Sequence, residues 1–524
     1  MGPQVLVVGA GPTGLLLTAE LHRRGVECQL IDALEEQRHW DRATVVHPRS
    51  LEVFESLGIV ERFLDAGVRQ RAVRLHSDGE VLGEMDLTTC GSAYGFNLGL
   101  SEEVTESILT DHLHGQGGSV TRSCRLVGLD PHPAGVTATI EHEGELHDVS
   151  AQWVVGCDGF HSPTRQLSGI GFEGHDIAEP WAVFDATLDR WPGEFDVTFA
   201  YLEATPVILT ALPDRRWRIY LRPSSPTVDL VEDAAAVIDR YQPGVSPVDV
   251  ENPSRFHCHT KVAERYQSGR VLLAGDAAHV CSPAQGHGMN SGLQDAVNLA
   301  WKLALVCHDV ATPGLLGSYE AERRPVAVAI TRSGDMAEDA ESLTEPADRT
   351  VRDQMMQAAF ADPASRHHEV VLEAELDISY AGSPVVDGDH NPHLAPGDRL
   401  PDTGPVQAPG ANPCHLHQLT HHAGHTLLVL GGRAGHGERL AAQFDALRED
   451  AAASTVFDAA IALSTDLHAP APIGHLAPSV AQRLGIEDVT ILAVRPDGHV
   501  GLRLDRADVA AVQRYLTLIH AKAP

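Results

Sequence analysis

Residues 5–32 read VLVVGAGPTGLLLTAELHRRGVECQLID, and this stretch determines the fold that we predict. An apolar run leads into Gly9-Ala10-Gly11-Pro12-Thr13-Gly14, a helical apolar pattern follows, and a second apolar run ends at Asp32. Glycines at these spacings allow a tight turn, a close approach of the backbone to a pyrophosphate, and close packing of helix on strand. Asp32 lies about 20 residues past the glycines, where an acid accepts hydrogen bonds from a ribose. The stretch therefore predicts a dinucleotide-binding βαβ unit, and the alternative is an ordinary buried turn between strand and helix.

The composition describes an acidic globular protein of more than one domain. The chain has 524 residues, which is too many for one core, and its formal net charge is −33. Such a surface repels nucleic-acid phosphates and anionic lipids, so we expect no nucleic-acid partner and no membrane partner. No apolar run approaches the roughly 18 residues of a membrane span. Because Met1-Gly2-Pro3-Gln4 leads directly into the first strand, we expect a cytoplasmic protein.

The cysteines and histidines do not follow a metal-binding spacing. Eight cysteines are scattered without a Cys-x-x-Cys pair, which favours reduced thiols. The 30 histidines include the pairs His367-His368 and His421-His422, but both pairs lie in polar stretches that resemble loops. We therefore predict that these histidines are surface residues and that the chain has no metal site.

Two later stretches repeat the pattern of a strand followed by an acidic turn. The apolar residues 154–157 lead into Asp158-Gly159, with Arg165 shortly after, although this alone is typical of many turns between strand and helix. The strand-like residues 270–274 lead into Gly275-Asp276, and an acid at a strand end suits a ribose or ribityl hydroxyl. The loop 282–290 then contains Pro283 and several glycines, which leaves backbone N–H groups unpaired at the start of the next helix. Those groups suit a carbonyl or an anion.

The middle and the end of the chain have different patterns. Residues 183–188, 197–202, 207–212 and 217–221 resemble strands, which predicts an antiparallel sheet that walls a pocket. Residues 380–413 are rich in Pro, Gly and Asp and are predicted to be a linker. From about residue 414 strands and helices alternate, as in a small α/β domain. Within it, residues 431–437 are rich in glycine but lack the fingerprint spacing, so we interpret them as a plain loop.

Together, the three glycine and acid turns resemble the group A FAD-dependent aromatic hydroxylases, in particular the bacterial polyketide and phenol hydroxylases. The match covers about residues 4–400 and includes Ser318-Tyr319-Glu320-x-Glu322-Arg323-Arg324-Pro325. The resemblance implies an α/β fold, with a Rossmann-type FAD-binding domain, an inserted antiparallel-sheet substrate domain and a C-terminal thioredoxin-like α/β domain. The predicted division is 1–175 and 269–395 for FAD binding, 176–268 for the substrate sheet and 396–524 for the C-terminal domain. Without Cys-x-x-Cys, this last domain is expected to be structural or interfacial.

The resemblance further implies bound FAD and a transient NAD(P)H co-substrate. The residues predicted to bind cofactor are Gly9, Gly11, Pro12, Thr13, Gly14, Asp32, Ala33, Arg42, Glu102, Leu126, Asp158, Asp276, Gly286, His287, Gly288, Met289 and Asn290. The catalytic candidates are Pro283, His287, Tyr220 and Arg218. Two positions depart from the family: Glu102 replaces the usual Gln, and the loop from Pro283 to Gly288 lacks one glycine of the usual pattern.

The implied activity is hydroxylation of a phenolic small molecule, of polyketide type in this branch, by O₂ through a C4a-hydroperoxyflavin. The expected partners are a small aromatic substrate, O₂ and NAD(P)H, and a homodimer is the candidate oligomer. Two alternatives stay open. One is Baeyer–Villiger oxygenation of a polycyclic ketone, and the other is an FAD protein that binds a biosynthetic intermediate without turnover.

Overall fold

The predicted βαβ unit forms the centre of a six-stranded, mostly parallel sheet. The computed structural model describes residues 2–39, 42–432, 437–506 and 508–520. In it, strand Val5–Val8 pairs in parallel with Cys28–Ile31 on one side and Trp153–Gly156 on the other. All four residues of Val5–Val8 are buried, because helices and a second sheet cover both faces. The strand order is Gln267–Ser268, Val271–Leu273, Trp153–Gly156, Val5–Val8, Cys28–Ile31 and Val120–Thr121.

The helices pack mainly around this sheet. Helix His287–Cys307 is buried along most of its length and packs against Pro12–Arg23, which in turn contacts Glu102–Gly115. The α-helices of the described residues are Pro12–Arg23, Pro48–Ser56, Val60–Ala66, Glu102–Gly115, Pro163–Leu167, Leu230–Tyr241, His287–Cys307, Gly317–Glu341, Pro346–Ala361, Pro363–Glu373, Gly437–Ala453, Pro478–Arg483 and Val509–His520. Within the described ranges, no helix combines the length and the apolarity that crossing a membrane requires.

The predicted antiparallel sheet is larger than the sequence indicates, and one of its pairs is parallel. Its strand order is Ser246–Phe256, Trp181–Asp189, Arg216–Leu221, Val207–Leu212, Val197–Tyr201, Ala72–Ser77 and Glu80–Asp86. Strand Val197–Tyr201 pairs in parallel with Ala72–Ser77. Because Val197–Tyr201 is buried throughout, its outer edge needs a partner, and the hairpin of residues 72–86 supplies it from outside the insertion.

Three smaller three-stranded sheets complete this part of the molecule. They are Glu145–Ala151, Gly135–His142 and Cys124–His132; Phe172–Asp176, His259–Ala263 and His279–Val280; and Val45–Val46, Asn97–Gly99 and Val68–Gln70.

The C-terminal part forms a second α/β unit around a seven-stranded sheet. Its strand order is Asp387–Gly388, Val500–Leu504, Val489–Val494, His425–Gly431, Phe457–Ser464, Gly474–Leu476 and Val406–Gln407. The expectation of a plain linker over 380–413 was wrong in part, because two of these strands lie within it and pair with the sheet. Most of the glycine-rich loop that we interpreted as plain, residues 433–436, lies outside the described residues.

A buried ion network joins this C-terminal unit to the helices around the central parallel sheet. Arg495 Nη1 contacts Glu322 Oε1 at 2.7 Å, and Lys302 Nζ contacts Glu322 Oε2 at 2.6 Å. Asp497 pairs with Arg495 and accepts a hydrogen bond from the indole N–H of Trp301 at 3.1 Å. Burial lowers the pKa of Lys302 to about 8, although the charge of Glu322 opposes this shift. Since Lys302 and Trp301 belong to helix His287–Cys307, the C-terminal unit fixes the helix whose first turn borders the site.

Candidate active site

The glycine turn leaves one backbone position open while the others are closely packed. Gly9 has a φ of +102°, and a Cβ added there would lie 2.3 Å from a backbone carbonyl oxygen. A Cβ added to Gly14 would lie 1.9 Å from the carbonyl oxygen of Gly9. At Gly11 the nearest atom among the described residues is Glu106 Oε1, at 3.8 Å. Gly11 is also the N-cap of the first helix and has no side-chain cap, so the unpaired N–H groups of that helix open into free space.

Asp32 lies next to this turn, as its position in the sequence predicts. Its Oδ2 accepts a hydrogen bond from Ala10 N at 2.7 Å, and its Oδ1 accepts one from Leu34 N at 2.8 Å. The neighbouring Ala33 is exposed at the end of the strand. Leu126 differs from them, because its side chain is buried in an apolar cluster of the sheet and only its backbone is left to face a ligand.

Thr13 joins the first turn to the third. A Cβ added to Gly275 would lie 2.7 Å from Thr13 Oγ1, and one added to Gly292 would lie 2.4 Å from the same atom. Gly275 therefore has both a left-handed φ of +60° and a side chain of the first helix against it. Its neighbour Asp276 is exposed on the same side. The two turns are thus closely packed on each other, although more than 250 residues separate them in the chain.

Arg165 joins the second turn to the third. Its guanidinium donates to the carbonyl of Ala277 at 2.9 Å and to that of Phe160 at 2.7 Å, and burial lowers its pKa. Asp158 accepts hydrogen bonds from the N–H and hydroxyl of Thr164, and also from Ser162. Burial raises the pKa of Asp158, although these hydrogen bonds oppose the shift. Asp158 thus supports the first turn of the short helix Pro163–Leu167, whose N-cap is Ser162.

The loop before helix His287–Cys307 is held by Asn290. Its Oδ1 accepts from His47 N at 2.9 Å and Ser50 Oγ at 2.8 Å, and its Nδ2 donates to the carbonyls of Val45 and Gly286 at 2.9 Å. Because the side chain holds the first turn, the backbone N–H groups there keep one orientation.

The residues around Asn290 leave space in front of the first turn of helix His287–Cys307. Gly286 is the N-cap, with a φ of +67° and no side-chain cap. A Cβ added to Gly288 would meet no atom of the described residues within 4 Å, while Met289 is half-buried against the main core. The carbonyl of Pro283 accepts from Gly286 N at 3.0 Å, which leaves one of its two lone pairs for another donor.

Tyr220 and Arg218 of the substrate sheet hold the segment that begins at Arg42. Arg218 is buried, pairs in bidentate geometry with Asp185 at 2.7 and 2.8 Å, and donates to the carbonyl of Arg42 at 3.0 Å. The Tyr220 hydroxyl donates to the same carbonyl and lies 2.9 Å from Thr44 Oγ1, and burial raises its pKa. Both side chains therefore position the Arg42 segment.

The same segment contacts Glu102 and the substrate sheet. The Arg42 guanidinium lies over the ring of Phe256, 5.1 Å from its centroid. Glu102 Oε2 accepts from Ala43 N at 3.4 Å, and Glu102 N donates to the carbonyl of Ala43 at 3.0 Å. The acid that replaces the usual Gln thus lies at the base of the Arg42 segment.

His287 belongs to a buried group of two histidines and an acid that the sequence did not indicate. Its Nδ1 lies 2.8 Å from Glu375 Oε1, and the ring of His47 packs edge-on at 5.1 Å. Both ring nitrogens of His47 lack a hydrogen-bond partner among the described residues, and Nδ1 lies 3.8 Å from Glu375 Oε1. Burial opposes the charge on Glu375, but the two histidines outweigh it and lower its pKa to about 2. Burial likewise opposes the charge on His287, yet Glu375 raises its pKa.

A second carboxylate connects the substrate sheet to the loop. Glu338 accepts hydrogen bonds from the indole N–H of Trp181 at 3.1 Å and from the hydroxyl of Ser282 at 2.8 Å, and it also contacts Arg222. Trp181 and Arg222 come from the sheet, whereas Ser282 directly precedes Pro283. Trp181 also belongs to an apolar cluster with Ile177, Ile208, Tyr220, Phe256 and Cys258, most of which lie on the same sheet.

Few features of the sequence mark these two acids. Glu338 lies in an ordinary helical pattern, and Glu375 follows helix Pro363–Glu373 without any motif. Only the structure marks Glu375 as unusual. It has a φ of +55°, at the position after a helix where glycine is usual. A buried acid in a left-handed conformation is a strained arrangement of the kind found at functional sites.

These groups fit FAD. Two helix N-termini, at Gly11 and Gly286, lack side-chain caps, their helices pack against each other, and the first has room for the close approach of a pyrophosphate. Asp32 and Asp276 lie at the ends of the two strands that border it. The donors suit phosphates and a flavin carbonyl, and the acids suit sugar hydroxyls.

Comparison with known families identifies the class. The model of the FAD binding domain family matches residues 3–333, which is well over half of the chain. The chain therefore belongs to this family, within the group A FAD-dependent aromatic hydroxylases, and is a flavin-dependent monooxygenase with FAD as cofactor and NAD(P)H as electron donor.

Individual relatives are similar over part or all of the chain. A 6-methylpretetramide 4-monooxygenase from Streptomyces rimosus is 36% identical over 340 residues, which span 62% of this chain and 60% of the relative. A 12-dehydrotetracycline 5-monooxygenase/anhydrotetracycline 6-monooxygenase from Streptomyces rimosus subsp. rimosus is 30% identical over 520 residues, 95% of this chain and 94% of the relative. The solved structure of the anhydrotetracycline hydroxylase OxyS from Streptomyces rimosus superposes with a TM-score of 0.77 at 27% identity and covers all of both chains.

Proposed function

We propose that the chain hydroxylates a fused-ring phenolic substrate of polyketide type, using O₂ and NAD(P)H. Relatives that match over the whole chain are named for tetracycline intermediates, which are fused-ring compounds. The observation that carries the proposal is the contact of Trp181 and Ser282 with one buried carboxylate, Glu338. That contact puts a broad, mostly apolar wall next to the loop that precedes helix His287–Cys307.

The residues of the chain would act by binding and positioning. Bound FAD supplies the oxidation chemistry with O₂ and NAD(P)H. The free N–H groups after Gly11 would meet the pyrophosphate, and Asp32 would accept from the ribose. Asp276 would accept from the ribityl chain, and the first turn at Asn290 would donate to the pyrimidine ring.

The wall of the substrate sheet would select the substrate and exclude water. Its apolar side chains suit flat aromatic rings, whereas Tyr220, Arg222 and Glu338 offer polar contacts at few places. Since an ionised phenol reacts faster, a cation near the bound hydroxyl helps, and both Arg222 and Arg42, whose guanidinium lies over Phe256, lie at this wall. Glu338 holds the indole of Trp181 and the hydroxyl of Ser282, so it would fix the distance between the wall and the loop.

The test measures NAD(P)H oxidation with the purified flavoprotein and a panel of phenols of one to four rings. We expect the fused-ring phenols to stimulate oxidation and to gain one ring hydroxyl, as read by mass spectrometry and NMR. A ring-expanded lactone would indicate Baeyer–Villiger oxygenation instead. Tight substrate binding without NAD(P)H consumption would indicate the protein that binds an intermediate without turnover.

A second test addresses the turn at Gly275 and Asp276, which is predicted to contact the cofactor. Asp276→Ala removes an exposed acid, and we expect it to abolish flavin retention while the fold stays intact. A yellow and fully active Asp276→Ala protein would contradict this assignment.

Two further predictions concern the state of the protein in the cell. We infer a cytoplasmic protein, in keeping with eight cysteines that form no disulfide.

A homodimer is the expected oligomer, and light scattering coupled to gel filtration would measure it. A monomeric mass across the working concentration range would contradict it.

A further inference from the structure

A second cluster of histidines and acids lies where the C-terminal part meets helix Pro48–Ser56. We call it the Asp402 cluster, and it consists of Asp402, His415, His417 and Glu55. Asp402 Oδ1 contacts the Nδ1 atom of His415 and lies 3.3 Å from the Nδ1 atom of His417. One ligand atom from each of these three residues lies within 4.8 Å of the other two. Three potential metal ligands thus converge on one small volume.

The ring of His417 is oriented by a carboxylate on its other side. Its Nε2 lies 2.9 Å from Glu55 Oε2, and Gln418 donates to the other oxygen of Glu55 at 2.6 Å. Gln418 in turn accepts from the backbone N–H of His415 at 3.0 Å. Histidines that bind a metal through one nitrogen usually donate the other N–H to a carboxylate in this way. The support that a metal site needs is therefore already built.

The nitrogen of His417 that points toward Asp402 is not used in a hydrogen bond. His417 is 9% exposed, and its Nδ1 has no hydrogen-bond partner among the described residues, although Asp402 is near. A tetrahedral ion with bonds of 2.0–2.1 Å needs ligand atoms about 3.3 Å apart. The distance between Asp402 and His417 matches this value, and the closer His415 is half-exposed and can move outward.

We propose that Asp402, His415 and His417 bind a divalent transition metal, with Zn²⁺ as the best match. Two imidazoles and a carboxylate are ligands that Zn²⁺ prefers, and water would take the fourth position. The ion would clamp residues 402–417 and, through Glu55, join them to helix Pro48–Ser56. The sequence predicted no metal site, because the spacing of its cysteines and histidines matches no metal-binding pattern. The proposal does not depend on the proposed reaction.

The first experiment measures zinc in the intact flavoprotein. The protein is treated with a chelator, loaded with zinc chloride, and passed through gel filtration. Zinc and FAD are then quantified per chain, and the affinity is measured by competition with a chromogenic chelator. We expect one retained zinc ion per chain and a higher melting temperature with zinc than without it. A wild-type protein that retains no stoichiometric zinc at micromolar concentration would overturn the proposal.

Variants locate the ion. His415→Ala changes a half-exposed ring, so the protein should fold and keep FAD, but its zinc affinity should fall at least about 10-fold. Glu55→Gln keeps all three ligands and should weaken binding by about 10- to 100-fold, because it removes only the oriented carboxylate. Zinc affinity that is unchanged in both variants would overturn the proposal.

Three matched control variants test whether other histidines bind the zinc ion instead. His422→Ala lies outside the cluster, and His421→Ala lies on the Glu55 side of His417; both should retain zinc. His287→Asn disrupts the buried group beside the flavin loop and should also retain it. If zinc retention follows His287 or His421 instead of His415, the assignment is wrong.

Discussion

The glycine turns at residues 9–14 and 275–276, which we call the cofactor corners, and the wall of the substrate sheet are built in different ways. In the corners, backbone atoms and glycines make the contacts, and a single added methyl group at Gly9 or Gly14 would overlap a carbonyl oxygen. In the wall, and in the buried group around His287, charged side chains from distant elements meet, as at Glu338 and at Glu375. The corners should therefore be sensitive to added volume, whereas the wall should be sensitive to lost charge and lost hydrogen bonds.

The largest effect is expected at Gly14. In Gly14→Ala the new Cβ would lie 1.9 Å from the carbonyl oxygen of Gly9, so helix and strand must separate. We expect a loss of about 3 kcal/mol or more of stability and the loss of bound FAD, measured by urea unfolding and by visible absorbance.

The control is Gly115→Ala, at the end of helix Glu102–Gly115. An added Cβ there meets no atom of the described residues within 4 Å, so its stability should be unchanged or slightly higher. Equal losses in the two variants would mean that the corner is not specially sensitive to volume.

A smaller, pH-dependent effect is expected from Glu375→Gln. The folded pKa of Glu375 is lowered to about 2, so its contribution is complete above its ordinary value of 4.5 and is lost as the pH falls. The folded pKa of His287 is raised, so its contribution is complete below 6.5 and is lost as the pH rises through the raised value. His47, Glu373 and Asp377 also face this pair. The variant should therefore lose most stability between about pH 4.5 and 6.5, by about 2 kcal/mol.

The measurement is urea unfolding of both proteins across the pH range. Glu369→Gln, on helix Pro363–Glu373, serves as the control and should parallel the wild type. A loss of stability in Glu375→Gln that is equal at acidic and alkaline pH would contradict the charged pair with His287.

The smallest effect is expected from Tyr220→Phe. The variant loses one hydroxyl that contacts the carbonyl of Arg42 and Thr44 Oγ1, which is worth about 1 kcal/mol. A double-mutant cycle with Thr44→Val measures their coupling, which should be positive and below about 1 kcal/mol. FAD should be retained, while KM for the aromatic substrate should rise. Strict additivity would contradict the contact between the hydroxyls of Tyr220 and Thr44.

The sequence predicted the corners because their geometry depends on local spacing. Gly9, Gly11 and Gly14 follow one strand, and Asp32 ends the next one, so neighbours in sequence fix the turn. The central parallel sheet and the C-terminal α/β unit follow from the alternation of strands and helices. The comparisons confirm the fold class, while the roles of individual site residues stay predictions.

The rest could not be predicted, because it depends on contacts between distant elements. Glu375 meets His287 only after helix Pro363–Glu373 ends in a left-handed residue, and no sequence motif marks that end. The same holds for Glu338, which lies in an ordinary helical pattern, and for the strand pairing of residues 72–77 with 197–201. Each requires the tertiary fold to bring the partners together.

The most direct test of the central claim, that the first glycine turn binds FAD by close backbone approach, is Gly11→Ala. Its φ of −74° suits alanine, and the nearest atom to the new Cβ among the described residues is 3.8 Å away. The protein should therefore fold with a loss of at most about 1 kcal/mol, from the changed helix cap. Flavin absorbance per chain after reconstitution should fall sharply, because the methyl group occupies the path of the pyrophosphate. A Gly11→Ala protein that holds as much FAD as the wild type would contradict the account.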